Sequence, residues 1–341
     1  MSRPVLAECA EGLNSKAVHP PRMHRRALES LACPECVLHL TEVPFGSEPL
    51  HWRGLRCEQG HEFEIDAGVP LLVRESDRPR MRAFATSYAS TWVKDGWGGS
   101  ERAYLASLPY RDVSGRRSSE WRVKARSMES LFRVLNPRIH RRVVDLGCGI
   151  GWLSHRLAAR DHEVYAVDVV MDGMIGLRAA GAYLELGTPF ERVCGDLHRL
   201  PFMSSIIDAV VCNASLHYAD NLKTSLTEIA RILRPGGLLT ILNSPVHDDG
   251  SSAARAESDF RGHLRSLGAS QEVIAAYHHF TRAQLDAELE RAIGRINAHP
   301  FDPGRWFRWS RRLKGIALRM ELASFPILSV TNRKGVGPPS S

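Results

Sequence analysis

Residues 142–151 constrain the fold more than any other stretch, with the sequence Arg-Val-Val-Asp-Leu-Gly-Cys-Gly-Ile-Gly. The aliphatic and β-branched run at 143–146 predicts a buried strand, and residues 152–159 predict a helix. Between them, the glycines at alternate positions allow positive φ and a close approach of a ligand to the backbone. The helix that follows presents free N–H groups at its first turn. The pattern therefore predicts a strand, a tight turn and a helix around a ligand.

An acidic residue stands at the expected distance beyond this turn. Asp168 ends the next apolar run, residues 163–167, and follows Gly151 by seventeen positions. A doubly wound fold places there the carboxylate that accepts from two ribose hydroxyls. The alternative is an ordinary strand-to-helix turn, but the complete β-α-β unit favours a nucleotide-type ligand.

The glycine spacing resembles motif I of the class I S-adenosylmethionine (SAM) methyltransferases, because Asp145 precedes a Gly-x-Gly-x-Gly run. Residues 194–197 resemble the segment in which that family carries the carboxylate that accepts from the adenine amino group. Residues 207–213 resemble the family's fourth strand, and residues 231–237 the helix end and turn before its fifth. The resemblance covers about residues 120–245 and implies SAM as the cofactor. The cofactor-binding residues that it implies are Asp145, Gly147, Gly149, Gly151, Asp168, Asp196, Leu197 and Asn213.

The predicted fold class is α/β, a Rossmann-like seven-stranded methyltransferase sheet with helices on both faces and a small N-terminal zinc-ribbon-like β module. Alternation of strands with helical segments predicts a parallel sheet, which binds its ligand beyond the carboxyl ends of the strands. Residues 119–135 predict the helix before the first strand, and a helix over 172–186 is interrupted by glycines. Residues 253–292 predict helices, and residues 325–331 a final antiparallel strand. The predicted organisation is a disordered tail at 1–28, the ribbon-like module at 29–74, a linker or lid at 75–120, the methyltransferase domain at 121–334 and a tail at 335–341.

Four residues in the N-terminal module have the spacing of a structural zinc site. Cys33 and Cys36 form one pair, and Cys57 and His61 form the second. Three thiolates and an imidazole suit Zn(II) and would fill all four tetrahedral positions. The alternative is a metal-free hairpin that packs on the main domain. The segment resembles the ribbon of bacterial large-subunit ribosomal RNA guanine methyltransferases, and also that of methyltransferases presumed to act on small molecules.

Composition limits the classes of protein that fit. The chain has 341 residues, 43% of them hydrophobic, which is enough for one α/β domain and a smaller module. Its net charge of +7 is spread over many arginines without a long basic block. No run approaches the ~20 apolar residues of a membrane span. Seven cysteines, one of them inside the glycine loop, and an N-terminus without a signal-peptide pattern predict a cytoplasmic protein without membrane insertion or disulfides.

The acceptor of the methyl group is the open question. Small-molecule methyltransferases often carry a Ser-Leu-His-His type sequence after the fourth strand, and residues 215–218 resemble it. His217, and His247 after the fifth strand, are therefore the predicted catalytic residues, with loop hydrogen bonding as the alternative role for both. Aromatic residues between 74 and 120 predict a lid over the pocket, namely Phe84, Tyr88, Trp92, Trp97, Tyr104 and Tyr110. The preferred function is methyl transfer to oxygen, nitrogen or carbon of a small molecule. The alternatives are RNA methylation, supported by the ribbon and the basic charge, and a non-catalytic SAM-binding protein.

Overall fold

A computed structural model describes residues 25–44, 53–136, 138–318 and 322–333. The predicted tail at 335–341 and most of the predicted tail at 1–28 lie outside these ranges. Residues 25–28 are helical rather than disordered, because the helix that contains them buries Ala27 against the N-terminal module.

The N-terminal module consists of one helix and four strands. They are α1 (Arg25–Ser30), β1 (Leu40–Pro44), β2 (Arg53–Cys57), β3 (Glu62–Asp66) and β4 (Val69–Leu72). The strands form an antiparallel meander, and β4 then pairs in parallel with a strand of the main sheet. Leu55 and Phe63 share a core with Val193 and Phe202. The module therefore extends the main sheet and its core instead of standing apart as a separate body.

Three helices connect the module to the main sheet. They are α2 (Arg78–Lys94), α3 (Arg102–Ser107) and α4 (Ser118–Leu135). The bounds of α4 confirm the predicted helix, whose apolar face buries Trp121, Met128, Leu131 and Leu135.

The central β-α alternation follows. Its elements are β5 (Arg142–Leu146), α5 (Trp152–Ala158), β6 (Glu163–Asp168), α6 (Leu177–Ala180), α7 (Ala182–Glu185), β7 (Glu191–Gly195), β8 (Ile207–Asn213), α8 (Leu222–Ile232) and β9 (Leu233–Leu242). Strands β5 to β9 are parallel. Val144 and Leu146 pack into one apolar layer and Val143 into the other, so the sheet is covered on both faces.

The C-terminal part completes the sheet. Its elements are β10 (Val246–His247), α9 (Gly250–Ser266), α10 (Gln271–Ala276), β11 (Phe280–Thr281), α11 (Arg282–Ala292), β12 (Ile296–His299), α12 (Arg305–Leu318) and β13 (Ile327–Thr331). Strand β13 runs antiparallel to β9 and β12, as predicted. The order β7-β6-β5-β8-β9-β13-β12 confirms the seven-stranded sheet, and β4-β3-β2-β1 continue it beyond β7. Within the described residues, no helix is long and apolar enough to cross a bilayer.

Two local predictions differ from the structure. The segment 231–237 is not a turn between elements, because β9 begins at Leu233 and bulges. Leu233 and Leu238 both pair with β8, and Gly236 at φ +75° permits the bulge between them. The helical region predicted at 253–292 consists of three helices: residues 267–270 separate α9 from α10, and the short strand β11 lies between α10 and α11.

Candidate active site

The site lies beyond the carboxyl ends of β5, β6 and β8, where a sheet of this topology binds its ligands. Two adjoining cavities open there. One, of about 230 Å³, we name the Asp168 cavity. The second, of about 190 Å³, we name the Trp121 cavity. Tyr88, Gly147 and Tyr218 line both, so the two cavities form one elongated site beside the glycine loop.

Gly147 holds the loop against the end of β8. Its φ is +74°, and a Cβ atom there would lie 2.3 Å from the Cβ of Ser215. The Ser215 hydroxyl donates to the Leu146 carbonyl at 2.5 Å. Only glycine fits this approach, which leaves the loop backbone on the cavity lining.

Gly151 packs closely against the helix that follows β6. A Cβ atom on it would lie 2.8 Å from the Cβ of Ala180, and Gly151 lines neither cavity. Its φ of +73° starts helix α5. The third glycine therefore allows close packing of elements, and its contact with a cofactor stays a prediction.

Asp168 is oriented by the backbone of its neighbours. Its Oδ2 accepts from the N–H of Gly149 at 2.8 Å, and its Oδ1 accepts from the N–H of Val170 at 2.9 Å. Burial raises the pKa of this carboxyl, and the two N–H groups oppose that shift. The carboxylate is thus fixed on the lining with further acceptor capacity for a ligand.

Asp196 is the buried member of a charge cluster that reaches the surface at Arg80 and Asp220. Its Oδ1 accepts from the backbone N–H of His198 at 3.1 Å and from the ring Nδ1 at 2.9 Å. Burial alone would lower the pKa of His198, but Asp196 and Asp220 raise that pKa to about 9. Burial alone would raise the pKa of Asp196, but His198 and Arg80 lower it. Oδ2 of Asp196 is buried and has no hydrogen-bond partner among the described residues, so it can accept a hydrogen bond from a ligand in the Asp168 cavity. Leu197 also lines this cavity.

The Trp121 cavity carries two opposite charges. Asp145 is buried and accepts from the Ser154 hydroxyl at 2.7 Å, and burial raises the pKa of its carboxyl to about 7. Burial lowers the pKa of Lys124 to about 8. The Lys124 ammonium lies 5.5 Å and 5.9 Å from the ring centroids of Trp97 and Trp121. No hydrogen bond or salt bridge joins it to any residue in the described part of the chain, and Glu120 on the same helix acts on it only at longer range, so this cation can pair with an anion in the cavity.

Asn213 ends β8 on the lining of the Trp121 cavity. Its Oδ1 accepts from Nδ2 of Asn243 at 2.8 Å, and the same Nδ2 donates to the Ser127 hydroxyl at 2.8 Å. This bridge fixes the end of β8 relative to helix α4, which carries Lys124.

Aromatic rings form one wall of the site. Tyr88 packs 5.3 Å from Tyr218 and 5.9 Å from Trp92, and Trp97 packs 5.8 Å from Trp121. Of the predicted lid residues, four line a cavity, namely Phe84, Tyr88, Trp92 and Trp97. Tyr104 is buried in the core and Tyr110 is exposed, and neither reaches the cavities.

His217 lines the Trp121 cavity, and its Nδ1 lies 3.3 Å from the Ser244 hydroxyl. Burial lowers its pKa to about 3, and the nearby His279 and Lys124 contribute to this shift. The imidazole is therefore neutral near pH 7 and only weakly basic.

His247 lies in β10, outside the lining of both cavities. Its Nε2 is 2.8 Å from Nδ1 of His279. The structure thus does not bring His247 and His217 together at one cavity.

Comparison with known proteins agrees with this geometry. Residues 144–241, which contain the glycine loop, Asp168 and Asp196, match the family described as methyltransferase domain.

Residues 144–241 are a methyltransferase domain.

Relatives of the methyltransferase domain include a malonyl-[acyl-carrier protein] O-methyltransferase of Halorhodospira halophila, 35% identical over 37% of this chain and 43% of that protein. The biotin biosynthesis bifunctional protein BioHC of Cellvibrio japonicus is 32% identical over 63% of this chain and 41% of that protein. The chain spans less than half the length of these relatives. Among solved structures, the YcgJ protein of Bacillus subtilis is 15% identical, with 61% of this chain and 99% of that chain covered and a TM-score of 0.45.

Sequence reasoning missed two side chains at the methyltransferase site. Lys124 stands on the apolar stripe of α4 between Trp121 and Met128, and a lone cation on such a stripe is a usable signal. His198 follows Asp196 by two positions, but only the fold shows that Asp220 reaches the other side of its ring, with Nε2 and the carboxylate 2.6 Å apart.

The N-terminal module brings its four predicted metal ligands together. The ligand atoms of Cys33, Cys36, Cys57 and His61 all lie within 4.8 Å of one another. Sγ of Cys36 is 3.7 Å from Sγ of Cys57, and Sγ of Cys57 is 3.2 Å from Nδ1 of His61. A tetrahedral zinc with ~2.3 Å bonds separates its ligand atoms by about 3.7 Å. The four side chains therefore fit a structural zinc.

Proposed function

We propose that this protein is an enzyme that transfers the methyl group of SAM to a small-molecule acceptor. The proposal is supported by the methyltransferase domain and by relatives whose names describe O-methylation of a malonyl group on a carrier protein. The main observation behind the proposal is the pair of adjoining cavities. The Asp168 cavity presents the carboxylates of Asp168 and Asp196, and the Trp121 cavity presents the Asp145 carboxylate and the Lys124 ammonium. These two sets of groups match the two ends of one ligand.

The Asp168 cavity fits a nucleoside. The fixed carboxylate of Asp168 is suited to accept from two ribose hydroxyls. Oδ2 of Asp196 lies 3.8 Å from the Arg80 guanidinium but has no hydrogen-bond partner among the described residues, so it is suited to accept from an adenine amino group. Leu197, Met81 and Phe84 supply apolar surface for a flat ring.

The Trp121 cavity fits a zwitterionic amino-acid group. Asp145 would face the α-ammonium, and the unpaired Lys124 would face the α-carboxylate. Each charge then gains a partner, which removes much of the cost of its burial. A nucleoside joined to an amino acid is the structure of SAM, so the residues present fit this cofactor.

SAM, when bound, supplies a methyl group on a positively charged sulfur as the electrophile. The chain's own contribution is to position that methyl and to exclude water. Tyr88, Trp92 and Tyr218 form the wall opposite the glycine loop, and their packing restricts access to the shared part of the site.

The weak basicity of His217 limits the kinds of methyl acceptor that suit the site. A group whose pKa is about 3 gains little by taking a proton from a hydroxyl near pH 7. The site therefore favours an acceptor that arrives already deprotonated, such as a carboxylate, for which His217 would position the reacting oxygen. His217 and His247 remain predicted catalytic residues, with His217 favoured by its place on the cavity.

The N-terminal module has a structural role in this proposal. A zinc ion on Cys33, Cys36, Cys57 and His61 would hold β1 and β2 in place, and β4 would extend that order to its neighbour β7. The module is therefore expected to stabilise the wall that carries Asp196 rather than to bind RNA.

The test is incubation of the purified protein and methyl-labelled SAM with separated small-molecule, RNA and protein fractions of cells. We expect label in the small-molecule fraction or on a carried acyl group, and none with Asp168→Ala. Stoichiometric label at a defined RNA position would replace this proposal with RNA methylation. Absence of SAM binding would remove both.

A further inference from the structure

Helix α12 (Arg305–Leu318) exposes apolar side chains that the site does not use. Trp306 is 67% exposed, Trp309 55% and Leu313 46%. Soluble proteins rarely expose two neighbouring tryptophans to water. A large exposed apolar patch of this kind marks an interaction surface. Their rings lie 5.3 Å apart and so form one continuous patch.

The spacing of these residues is that of a single helix face. Positions 306, 309 and 313 differ by three and four residues, so their side chains lie in one row. Arg305, Arg308 and Arg312 repeat the same spacing one residue earlier, and all three are exposed. The sequence of α12 contains four arginines and one lysine without an acidic residue, and of the three arginines in this row only Arg308 has a salt-bridge partner among the described residues, the exposed Asp302. We name the two rows together the Trp-Arg face.

The opposite side of α12 is attached to the protein. The Arg311 guanidinium lies over the rings of Phe307 and Phe325, 5.6 Å and 5.3 Å from their centroids, and donates to the Ala323 carbonyl. The helix thus uses one side for packing and presents the Trp-Arg face outward.

We propose that the Trp-Arg face docks this protein on an anionic phospholipid surface. Tryptophan rings are suited to the boundary between headgroups and acyl chains, and arginines to lipid phosphates. An acidic macromolecule would pair with the arginines but gives no reason for a tryptophan row. A second copy related by two-fold symmetry would bring the two arginine rows together, where they repel.

The test is flotation of the full-length protein with vesicles of phosphatidylcholine alone or with roughly one-third phosphatidylglycerol. We expect binding to the anionic vesicles, weakened by salt, and little to the neutral ones. R305Q/R308Q/R312Q should lower partitioning at least about tenfold, since each basic residue near such a surface contributes roughly fivefold. W306S/W309S should lower it similarly at unchanged charge, and neither variant should alter SAM binding.

Matched control variants test whether binding depends on the Trp-Arg face or only on the net charge and overall surface hydrophobicity of the protein. R255Q/R265Q/R295Q removes three exposed charges elsewhere, and I139S/L186S removes two exposed apolar groups elsewhere. Both should bind anionic vesicles as the unmodified chain does. Equal partitioning into neutral and anionic vesicles would overturn the proposal. So would vesicle binding that depends on the arginines but not on the tryptophans, because charge alone would then account for it. A dimer in solution that W306S/W309S dissociates would also overturn the proposal.

Discussion

Replacing Lys124 by methionine should weaken binding of the amino-acid end of the cofactor and spare the nucleoside end. Methionine keeps the length and apolar packing of the side chain against Trp97 and Trp121, and removes only the charge. A hydrogen bond to a charged group contributes about 1.5–3 kcal/mol. Because the side chain is half-buried, water screens part of this interaction, and the lower part of that range applies. We therefore expect affinity to fall by about 10- to 30-fold.

The assay is calorimetric titration with two ligands that share the nucleoside. S-adenosylhomocysteine carries the amino-acid group, and 5′-methylthioadenosine lacks it. Lys124→Met should reduce affinity for the first and leave affinity for the second within about twofold. The matched control, Asp168→Ala, should reduce both alike. Equal losses for both ligands with Lys124→Met, or no loss for either, would refute the assignment of Lys124 to the carboxylate.

Four further outcomes follow from the same structure. Affinity for S-adenosylhomocysteine should decline below pH 7, where Asp145 with a pKa of about 7 becomes neutral. It should also decline above pH 8, where Lys124 with a pKa of about 8 loses its proton. Asp145→Asn should abolish the decline at low pH, and Lys124→Met the decline at high pH. Asp168→Ala should lower SAM affinity by about 1–3 kcal/mol in a folded protein, and unchanged affinity would contradict the ribose assignment. Metal analysis should find one zinc per chain. Cys57→Ser should abolish zinc binding, and the control variant Cys9→Ser should retain it. A metal-free chain with an ordered N-terminal module would contradict the zinc site. Proton resonances of the His217 ring should not shift between about pH 5 and 8, because its pKa is about 3, whereas titration in that range would restore it as an ordinary base.

The sequence was informative where one residue type alone meets a local requirement. Gly147 had to be glycine because Ser215 approaches it at a distance no side chain tolerates, and alternate glycines signal such a turn. Helix α4 was predicted because its apolar spacing is regular and its apolar face is covered, and strand β8 because residues 207–213 resemble the fourth strand of the methyltransferase family. The four residues of the candidate zinc site come in two short paired spacings, and the structure brings their ligand atoms within 4.8 Å of one another; the zinc itself stays a prediction.

The rest depended on long-range packing that spacing does not encode. The bulge in β9 arises because Leu233 and Leu238 both pair with β8, a register that the sequence of β9 alone does not specify. The close packing of Gly151 against Ala180 was not predicted, because the two residues lie far apart along the chain. His247 was predicted to face the acceptor because it follows a strand at the right edge, yet the β10–β11 pair places it beside His279 instead.

The most direct measurement is a crystal structure of the full-length protein with S-adenosylhomocysteine. The account predicts the ribose hydroxyls on the Asp168 carboxylate, the adenine amino group on Oδ2 of Asp196, and the α-carboxylate within hydrogen-bond distance of the Lys124 ammonium. The sulfur should then point toward the aromatic wall at Tyr88 and Tyr218. A ligand bound elsewhere, or one bound in the two cavities with its ends exchanged, would contradict the central claim that this pair of cavities holds the methyl donor.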